Sequence, residues 1–460
     1  MSQLNADCLN YILKYLEDEK STLFSCVLVN RFWCELSLRI LWRNTKNYNE
    51  QTYNTLISYL PKESKNCLSN KMKSPTGKIP IFNYASFCKV LSIKHVQLMI
   101  KRHIKNQHTV LSLPLKNIRD IMVQEIFPSF YPEARDCLKN LSELHCGSCI
   151  SSEIFYQLSQ LCQNILLLDI NHDSHSGTLD GLAHLISVQR NLKHFILIQY
   201  FNNLNKNITS LITKLPNTLI KLNLCKYNRV LSLLFITKFL NLQELEFEIR
   251  NSFIDFDKLS YVIFPHLQIL NFKISRPNSK SLTRFLENNG RNLKEFCTYE
   301  TDNTINLAIS KFCINLRKLS VGFISNELEM LETFGIVLKS CNYLKSIKIY
   351  HRGKFLKEVW RVIVKHSLEN ISEVILHHYN CKISADFLQK ELVSYFTSWG
   401  SREPLTLLSL VIICNHCKKC LDENEENMKV IKECIKLVGV IKNYNIIKFV
   451  VYSEGWARKN

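Results

Sequence analysis

Three carboxylates, Glu244, Glu246 and Glu248, occupy alternate positions of the stretch ELEFE. Alternate side chains of a strand share one face at about 7 Å intervals, so the triplet suits a docking spot for a basic segment of another protein. The alternative is a solvated strand face whose charge is offset by Lys221 and Lys273 in neighbouring stretches. Soft metal ligands occur in CGSC, at Cys146 and Cys149, and in CNHCKKC, at Cys414, His416, Cys417 and Cys420. A structural zinc normally joins two ligand pairs a dozen or so residues apart, which lets the metal staple a loop. Ligands this close crowd instead, so no metal site is assigned, although zinc at the second run stays open. No glycine-rich phosphate loop, nucleophile elbow or helical pair of histidines stands out. The expectation is a non-catalytic protein without a cofactor.

The elements that position these residues are short phrases that recur along the chain. NLSELHC at 140, NILLLDI at 164, NLKHFILI at 191, TLIKLNL at 218 and NLQELEF at 241 are followed by HLQILNF at 266, NLKEFCT at 292, NLRKLSV at 315, YLKSIKI at 343 and NISEVIL at 370. PLTLLSL at 404 and NIIKFVV at 445 extend the series at wider spacing. Through residue 370 the starts recur every 23 to 28 residues. A period of that size signals stacked supersecondary units, and the pattern L-x-x-L-x-L identifies leucine-rich repeats. Each phrase alternates like a strand, and intervening stretches such as EIFYQLSQLCQ, NLAISKFCI and EVWRVIVKHSL have helical spacing. Strands pack about 4.8 Å apart and helices about 10 Å, so such an array is expected to curve into an α/β solenoid with parallel strands inside and helices outside.

In this register the leucines point into the core and the residues beside them line the concave face. Glu244, Glu246, Glu248, Asn271, Lys273, Tyr299, Lys318, Lys348 and Tyr350 are the candidate target-binding residues. Glu143 and Asp169 lie on the same face nearer the start of the array. The face is mixed in sign although the chain carries a formal net charge of +19. Its excess lysine therefore belongs to helices and loops, which argues against the continuous basic track that nucleic acid requires. Cys162, Cys313 and Cys341 stand three residues before the leading apolar residue of the next phrase. Buried packing at the turn from helix to strand is their expected role.

The first forty or so residues carry a different pattern. Leu9, Ile12, Leu13 and Leu16 form one helical stripe. Ser21 or Thr22 suits the cap of a second helix carrying Leu23, Cys26 and Val27, and Asn30 that of a third carrying Trp33, Leu36 and Ile40. Three helices this short cannot bury all their apolar side chains in one another, which implies a permanent partner. Leu4, Asp7-Cys8-Leu9, Ile12-Leu13, Tyr15-Leu16, the run CVLVNRFW at 26–33 and Leu41-Trp42 together resemble an F-box over residues 2–43. Asn5 stands where that family usually has proline, and asparagine can cap a helix in its place. The resemblance implies docking on a Skp-type adaptor that joins the chain to a cullin and a RING protein in an SCF-type ubiquitin ligase. By the same resemblance Leu4, Ile12, Leu16, Val27, Val29 and Trp33 contact the adaptor or form the small core beneath it.

The expected organisation is an F-box-like domain over 1–48, a linker over 49–90 with a basic exposed stretch at 61–80, a helical cap over 91–139 and the repeats over 140–460. With 46% hydrophobic residues, 18 scattered cysteines, no signal-peptide pattern and no long apolar run, the chain reads as ordered, reduced, and cytoplasmic or nuclear, without a membrane partner. The leading function is a substrate receptor whose repeats select an unidentified target protein. A leucine-rich-repeat scaffold or ligand-binding protein with a vestigial F-box, acting outside ubiquitination, and a basic protein binding RNA or acidic membranes, are the rival readings.

Overall fold

Two asparagines set the first helices. Asn5 Oδ1 accepts from the Cys8 amide at 2.8 Å and starts α1, Ala6–Lys14. Asn30 Oδ1 accepts from the Trp33 amide at 2.9 Å and starts α3, Arg31–Leu41. Between them α2, Lys20–Val27, begins just ahead of the expected caps Ser21 and Thr22. The computed structural model describes residues 5–49, 51–52, 55, 82, 84–106, 138–148, 150–172, 179–199, 207–225, 232–250, 253–323, 328–351, 356–366, 371–379, 409–415 and 429. The chain divides into two compact units, Met1–Leu219 and Ile220–Asn460.

In the first unit the three helices close over Leu9, Leu13, Leu23, Cys26, Leu36 and Ile40, with Leu16, Trp33 and Leu41 packed against that cluster. Four strands follow, β1 (Val90–Ser92), β2 (Glu143–Gly147), β3 (Leu167–His172) and β4 (His194–Gln199). They pair in parallel in chain order. Each step repeats one hydrogen-bonded device: the carbonyl just before a strand accepts two amides from the next step. Ser142 O takes Leu166 N at 2.7 Å and Leu167 N at 3.1 Å, and Leu166 O takes Lys193 N and His194 N, both at 2.9 Å.

That device starts earlier than the phrases suggest. Lys89 O takes Ser142 N and Glu143 N, and Arg43 O takes Lys89 N at 2.9 Å and Val90 N at 3.0 Å. Asn44 bridges Val90 in parallel. The array therefore begins at Arg43 and Val90, not at 140, because the end of α3 supplies the first paired backbone. At the two ends of the 49–90 stretch, Trp42 stacks on Tyr84 at 4.4 Å, and Tyr48 packs with Met99. The basic stretch 61–80 lies outside the described residues. Of the expected helical cap over 91–139, the helix Ile93–Asn106 is described and packs beside β2; residues 107–137 lie outside the described residues.

In the second unit the strands are β5 (Lys221–Cys225), β6 (Glu244–Glu248), β7 (Ile269–Phe272), β8 (Glu295–Thr298), β9 (Lys318–Gly322), β10 (Ser346–His351), β11 (Glu373–Tyr379) and β12 (Ser409–Asn415). All pair in parallel with their neighbours in chain order. The helices Ser279–Asn289, Asn303–Phe312, Leu328–Ser340 and Leu356–His366 form the second layer. Parallel strands in chain order alternating with helices make this the α/β leucine-rich-repeat solenoid that the phrases imply. The last described strand sits two residues later than its phrase suggests, since Val374 pairs with Leu410 and Leu376 with Ile412. A continuous apolar run lets a pairing slide by two without exchanging faces.

Between β5 and β7 the described residues of the connections form the short turns Leu233–Lys238 and Phe256–Leu259. Aromatic rings pack together here. Phe247 stacks on Phe272 at 5.3 Å, and Phe253 and Phe256 meet both edge-on at 5.6 to 6.4 Å. Edge and offset contacts of this kind add to the stabilisation from apolar burial.

Buried amides close the turns. Asn289 Oδ1 accepts from Phe264 N at 2.7 Å, while its Nδ2 donates to Val262 O at 2.9 Å and Phe285 O at 3.1 Å. Gln189 makes the matching set with Ile165 N, Cys162 O and Leu185 O. Replacing Asn289 by leucine leaves Phe264 N and Val262 O without their side-chain partner and is expected to cost about 2–3 kcal/mol, read as a lower urea midpoint at unchanged slope.

Candidate functional site

On α1–α3 the buried stripe leaves a second apolar set outside. Tyr11, Ile12, Tyr15, Phe24, Leu28, Val29 and Phe32 are exposed, Leu28 to 85%. Tyr11 and Tyr15, one helical turn apart, meet edge-to-face at 5.3 Å with hydroxyls 2.8 Å apart. Of the residues the sequence nominated, Ile12 and Val29 lie in this set and Val27 is half-buried. Leu16 and Trp33 pack on the small core, and Leu4 lies outside the described residues. Tyr11, Tyr15, Phe24, Leu28 and Phe32 were not nominated, although Tyr15, Leu28 and Phe32 fall within the stretches that carry the resemblance.

Across the second unit, strand register places the outward residues in three rows on the open face of the sheet. The row at the strand starts runs Lys221, Glu244, Ile269, Glu295, Lys318, Ser346, Glu373. Its charges pair off: Lys221 with Glu244 at 2.7 Å, Lys318 with Glu295 at 2.9 Å, and the Ser346 hydroxyl with Glu373. The middle row runs Asn223, Glu246, Asn271, Cys297, Ser320, Lys348.

Glu246 corrects the reading of the acidic triplet as three available carboxylates. It is only 6% exposed, accepting from Asn223 Nδ2 at 2.5 Å and Asn271 Nδ2 at 3.3 Å and pairing with Lys273 Nζ at 2.5 Å. Burial works against the Lys273 ammonium, but the hydrogen bond and charge of Glu246 outweigh it and raise its pKa. Glu244 is tied to Lys221, which leaves Glu248 as the member of the triplet without an ion pair among the described residues. Aligning the phrases in columns already sets Lys221 beside Glu244 and Glu295 beside Lys318; the burial of Glu246 has no sequence signal.

Toward the strand ends an aromatic group replaces the charges. Tyr350 lies 5.3 Å from both Tyr299 and His377, Lys348 Nζ sits 4.9 Å over the Tyr350 ring, and Cys297 Sγ is 3.7 Å from the Tyr350 hydroxyl. Desolvation raises the Tyr350 and Cys297 pKa values and lowers that of Lys348, which has no carboxylate partner among the described residues. The group offers ring faces and one under-compensated ammonium, which suits an acidic residue next to an apolar one on a bound segment.

Two histidines on the strands titrate in opposite senses. Burial, then the Lys348 charge, pushes His377 down to about 4. The unfolded chain therefore takes the proton first as pH falls, and stability present above about 6.5 is lost toward pH 4. In the first unit burial opposes the charge on His145, but hydrogen bonds that it donates to the carboxylates of Asp169, at 2.8 Å, and Glu143 raise its pKa. Its contribution is present below about pH 6.5 and fades as pH rises through the elevated value. A His377→Phe variant is expected to show a flatter stability profile between pH 6.5 and 4 than the parent, by urea titration at each pH.

Cys162, Cys313 and Cys341 are buried, and burial pushes the Cys162 and Cys341 thiols up to about 12. They pack at the helix-to-strand turns, Cys341 Sγ lying 3.5 Å from Cys313 O. Cys146 is buried in β2; Cys149, His416, Cys417 and Cys420 lie outside the described residues, and Cys414 is placed only as backbone in β12. No described helix is long and apolar enough to cross a membrane.

No family model matches the chain, and no curated protein matches it. Solved structures do. The leucine-rich-repeat protein LegL7 of Legionella pneumophila is 14% identical at a TM-score of 0.35, over 64% of this chain and 91% of that one. A chain from the yeast Rad7 and Elc1 complex is 11% identical at 0.35, over 71% and 89%. The Leptospira interrogans leucine-rich-repeat protein LIC12759 is 14% identical at 0.28, over 66% and 90%. At these values the repeat assignment stands on the strands and phrases themselves.

Proposed function

We propose that the protein is a non-catalytic substrate receptor of an SCF-type ubiquitin ligase. Its helices α1–α3 dock on a Skp-type adaptor, and through it on a cullin and a RING protein, while the open face of the repeats holds a target protein. One observation carries the reading: three helices that already enclose a small core still expose Tyr11, Ile12, Tyr15, Phe24, Leu28, Val29 and Phe32. So many large apolar groups on so small a body favour a standing partner. The F-box resemblance of residues 2–43 names which partner. On the repeats, the paired charge rows resist nonspecific polyanions, and the Tyr299–Lys348–Tyr350–His377 group supplies an aromatic anchor of the type that dominates protein interfaces. The assembly acts in the cytoplasm or nucleus.

The test is binding of the intact chain to a purified Skp-type adaptor, against a Tyr15→Asp, Leu28→Asp double variant. Both side chains are exposed, so the variant keeps its fold, unlike changes at Leu16 or Trp33. Loss of roughly a hundredfold in affinity is expected from two charged groups in an apolar interface, with unchanged circular dichroism. Absence of binding by the intact chain removes the ligase reading and leaves a repeat scaffold.

A further inference from the structure

A cavity of about 520 Å³ opens in the first unit where α1 and α3 meet the start of the repeats. Its wall includes Asn10 and Lys14 from α1, Arg39 and Arg43 from α3 and its end, Lys89 from just before β1, and Asn140. Four of these side chains are cations and none is an acid. Two carboxylates lie within reach of the guanidinium groups: Glu35 pairs with Arg39 at 2.6 Å, and Glu17 approaches Arg43 at 3.6 Å. Lys14 and Lys89 have no ion pair among the described residues. Arg43 Nε is buried and meets no hydrogen-bond acceptor among the described residues. A buried donor of a permanent cation left unmatched is costly, and a donor in that condition beside a cationic cavity calls for an acceptor.

We propose that this cavity is a binding site for a small ligand carrying two or more phosphate groups. Guanidinium forks match phosphate oxygens in pairs, ammonium groups add compact charge, and the asparagine amides complete a donor-rich wall in which an occupant competes with Glu35 and Glu17 for the two guanidinium groups but with no carboxylate for Lys14 and Lys89 among the described residues. The volume lies in the range of small-molecule sites. A lone carboxylate would leave most of these donors unused. Because the wall joins α1, α3 and the strand-forming segment at Arg43 and Lys89, an occupant would tie the N-terminal helices to the first repeat backbone. The site is separate from the exposed apolar set of α1–α3, and the inference does not rest on the ligase reading.

Calorimetric titration of the intact chain with sodium tripolyphosphate at 150 mM salt tests it. Saturable one-site binding is expected, weakened at least roughly tenfold in a Lys14→Gln, Lys89→Gln variant, whose two exposed side chains leave the fold intact. A control variant, Lys280→Gln, Lys345→Gln, removes the same charge from exposed positions of the second unit and is expected to bind as the parent does. Equal weakening in both variants, or no saturation by the parent, overturns the proposal, since either outcome is that of a nonspecific polyanion on a chain of net charge +19. Vesicles of phosphatidylcholine with phosphatidic acid supply the second arm. Capture by vesicles that is lost in Lys14→Gln, Lys89→Gln assigns the phosphates to a lipid headgroup. Tripolyphosphate binding without vesicle capture assigns them to a soluble ligand.

Discussion

Alanine at position 322 is expected to destabilise the second unit by about 3 kcal/mol, a shift that chemical denaturation resolves easily. A Cβ built on Gly322 would lie 1.8 Å from Tyr299 O and 2.8 Å from the Tyr299 carbonyl carbon. Those atoms are backbone, so no rotamer change relieves the clash. Gly322 is paired with Tyr350 in β9–β10, and its amide partner Thr301 donates to Gly322 O at 3.0 Å. A strand that must shift here loses ladder bonds on two sides. The same glycine leaves the space in which the rings of Tyr299 and Tyr350 approach to 5.3 Å across the intervening strand. Gly322→Ala should therefore also disturb the aromatic group proposed to anchor a target. Tyr350→Leu separates the two effects: it removes the ring without the backbone clash, so target binding falls more than stability does. Equal stability of Gly322→Ala and parent would contradict the close approach.

Removing the Lys273 charge is expected to cost about 3 kcal/mol, whereas the same change at Lys318 costs less than about 1 kcal/mol. Both lysines pair with glutamates on the same face, at 2.5 Å and 2.9 Å. They differ in what they leave behind. Glu246 is 8% exposed in its side chain and cannot turn to water when Lys273 becomes methionine. Glu295 is 34% exposed and simply rehydrates when Lys318 is lost. Asn223 and Asn271 still donate to Glu246, which keeps the penalty below that of a bare buried carboxylate. Urea midpoints of Lys273→Met and Lys318→Met give the comparison directly. A Glu246→Gln, Lys273→Met double variant should recover part of the loss, because the stranded charge is then gone. Parity between the two single variants would show that Glu246 is solvated in solution.

Most of the solenoid was legible because its information is local and repeated. A leucine phrase recurring at near-constant spacing specifies a strand, a face and a partner strand at once, and the helical spacing of 303–312 and 356–366 reappears as helices. Asn5 and Asn30 were readable as caps because a cap depends only on residues three positions away. The start of the array was not legible. Val90–Ser92 is three residues long and carries no leucine phrase; it pairs because Arg43, far away in sequence, presents its carbonyl.

Sequence by itself determined the parallel α/β repeat, the three short helices before it, and the register that sets opposite charges in columns. All three follow from periodicity and capping, which act within one turn or one repeat. Tertiary structure decided which apolar residues of α1–α3 go inside: Leu16 and Trp33 turn to the core while Tyr11, Tyr15 and Leu28 stay out. A helix stripe names a face but not the angle at which a neighbour meets it. It also decided that Glu246 is buried and matched, that Lys348 lies over a tyrosine without a carboxylate, and that four cations from distant segments share one cavity. Burial and charge compensation are set by what arrives from elsewhere in the chain, and only the fold brings those segments together.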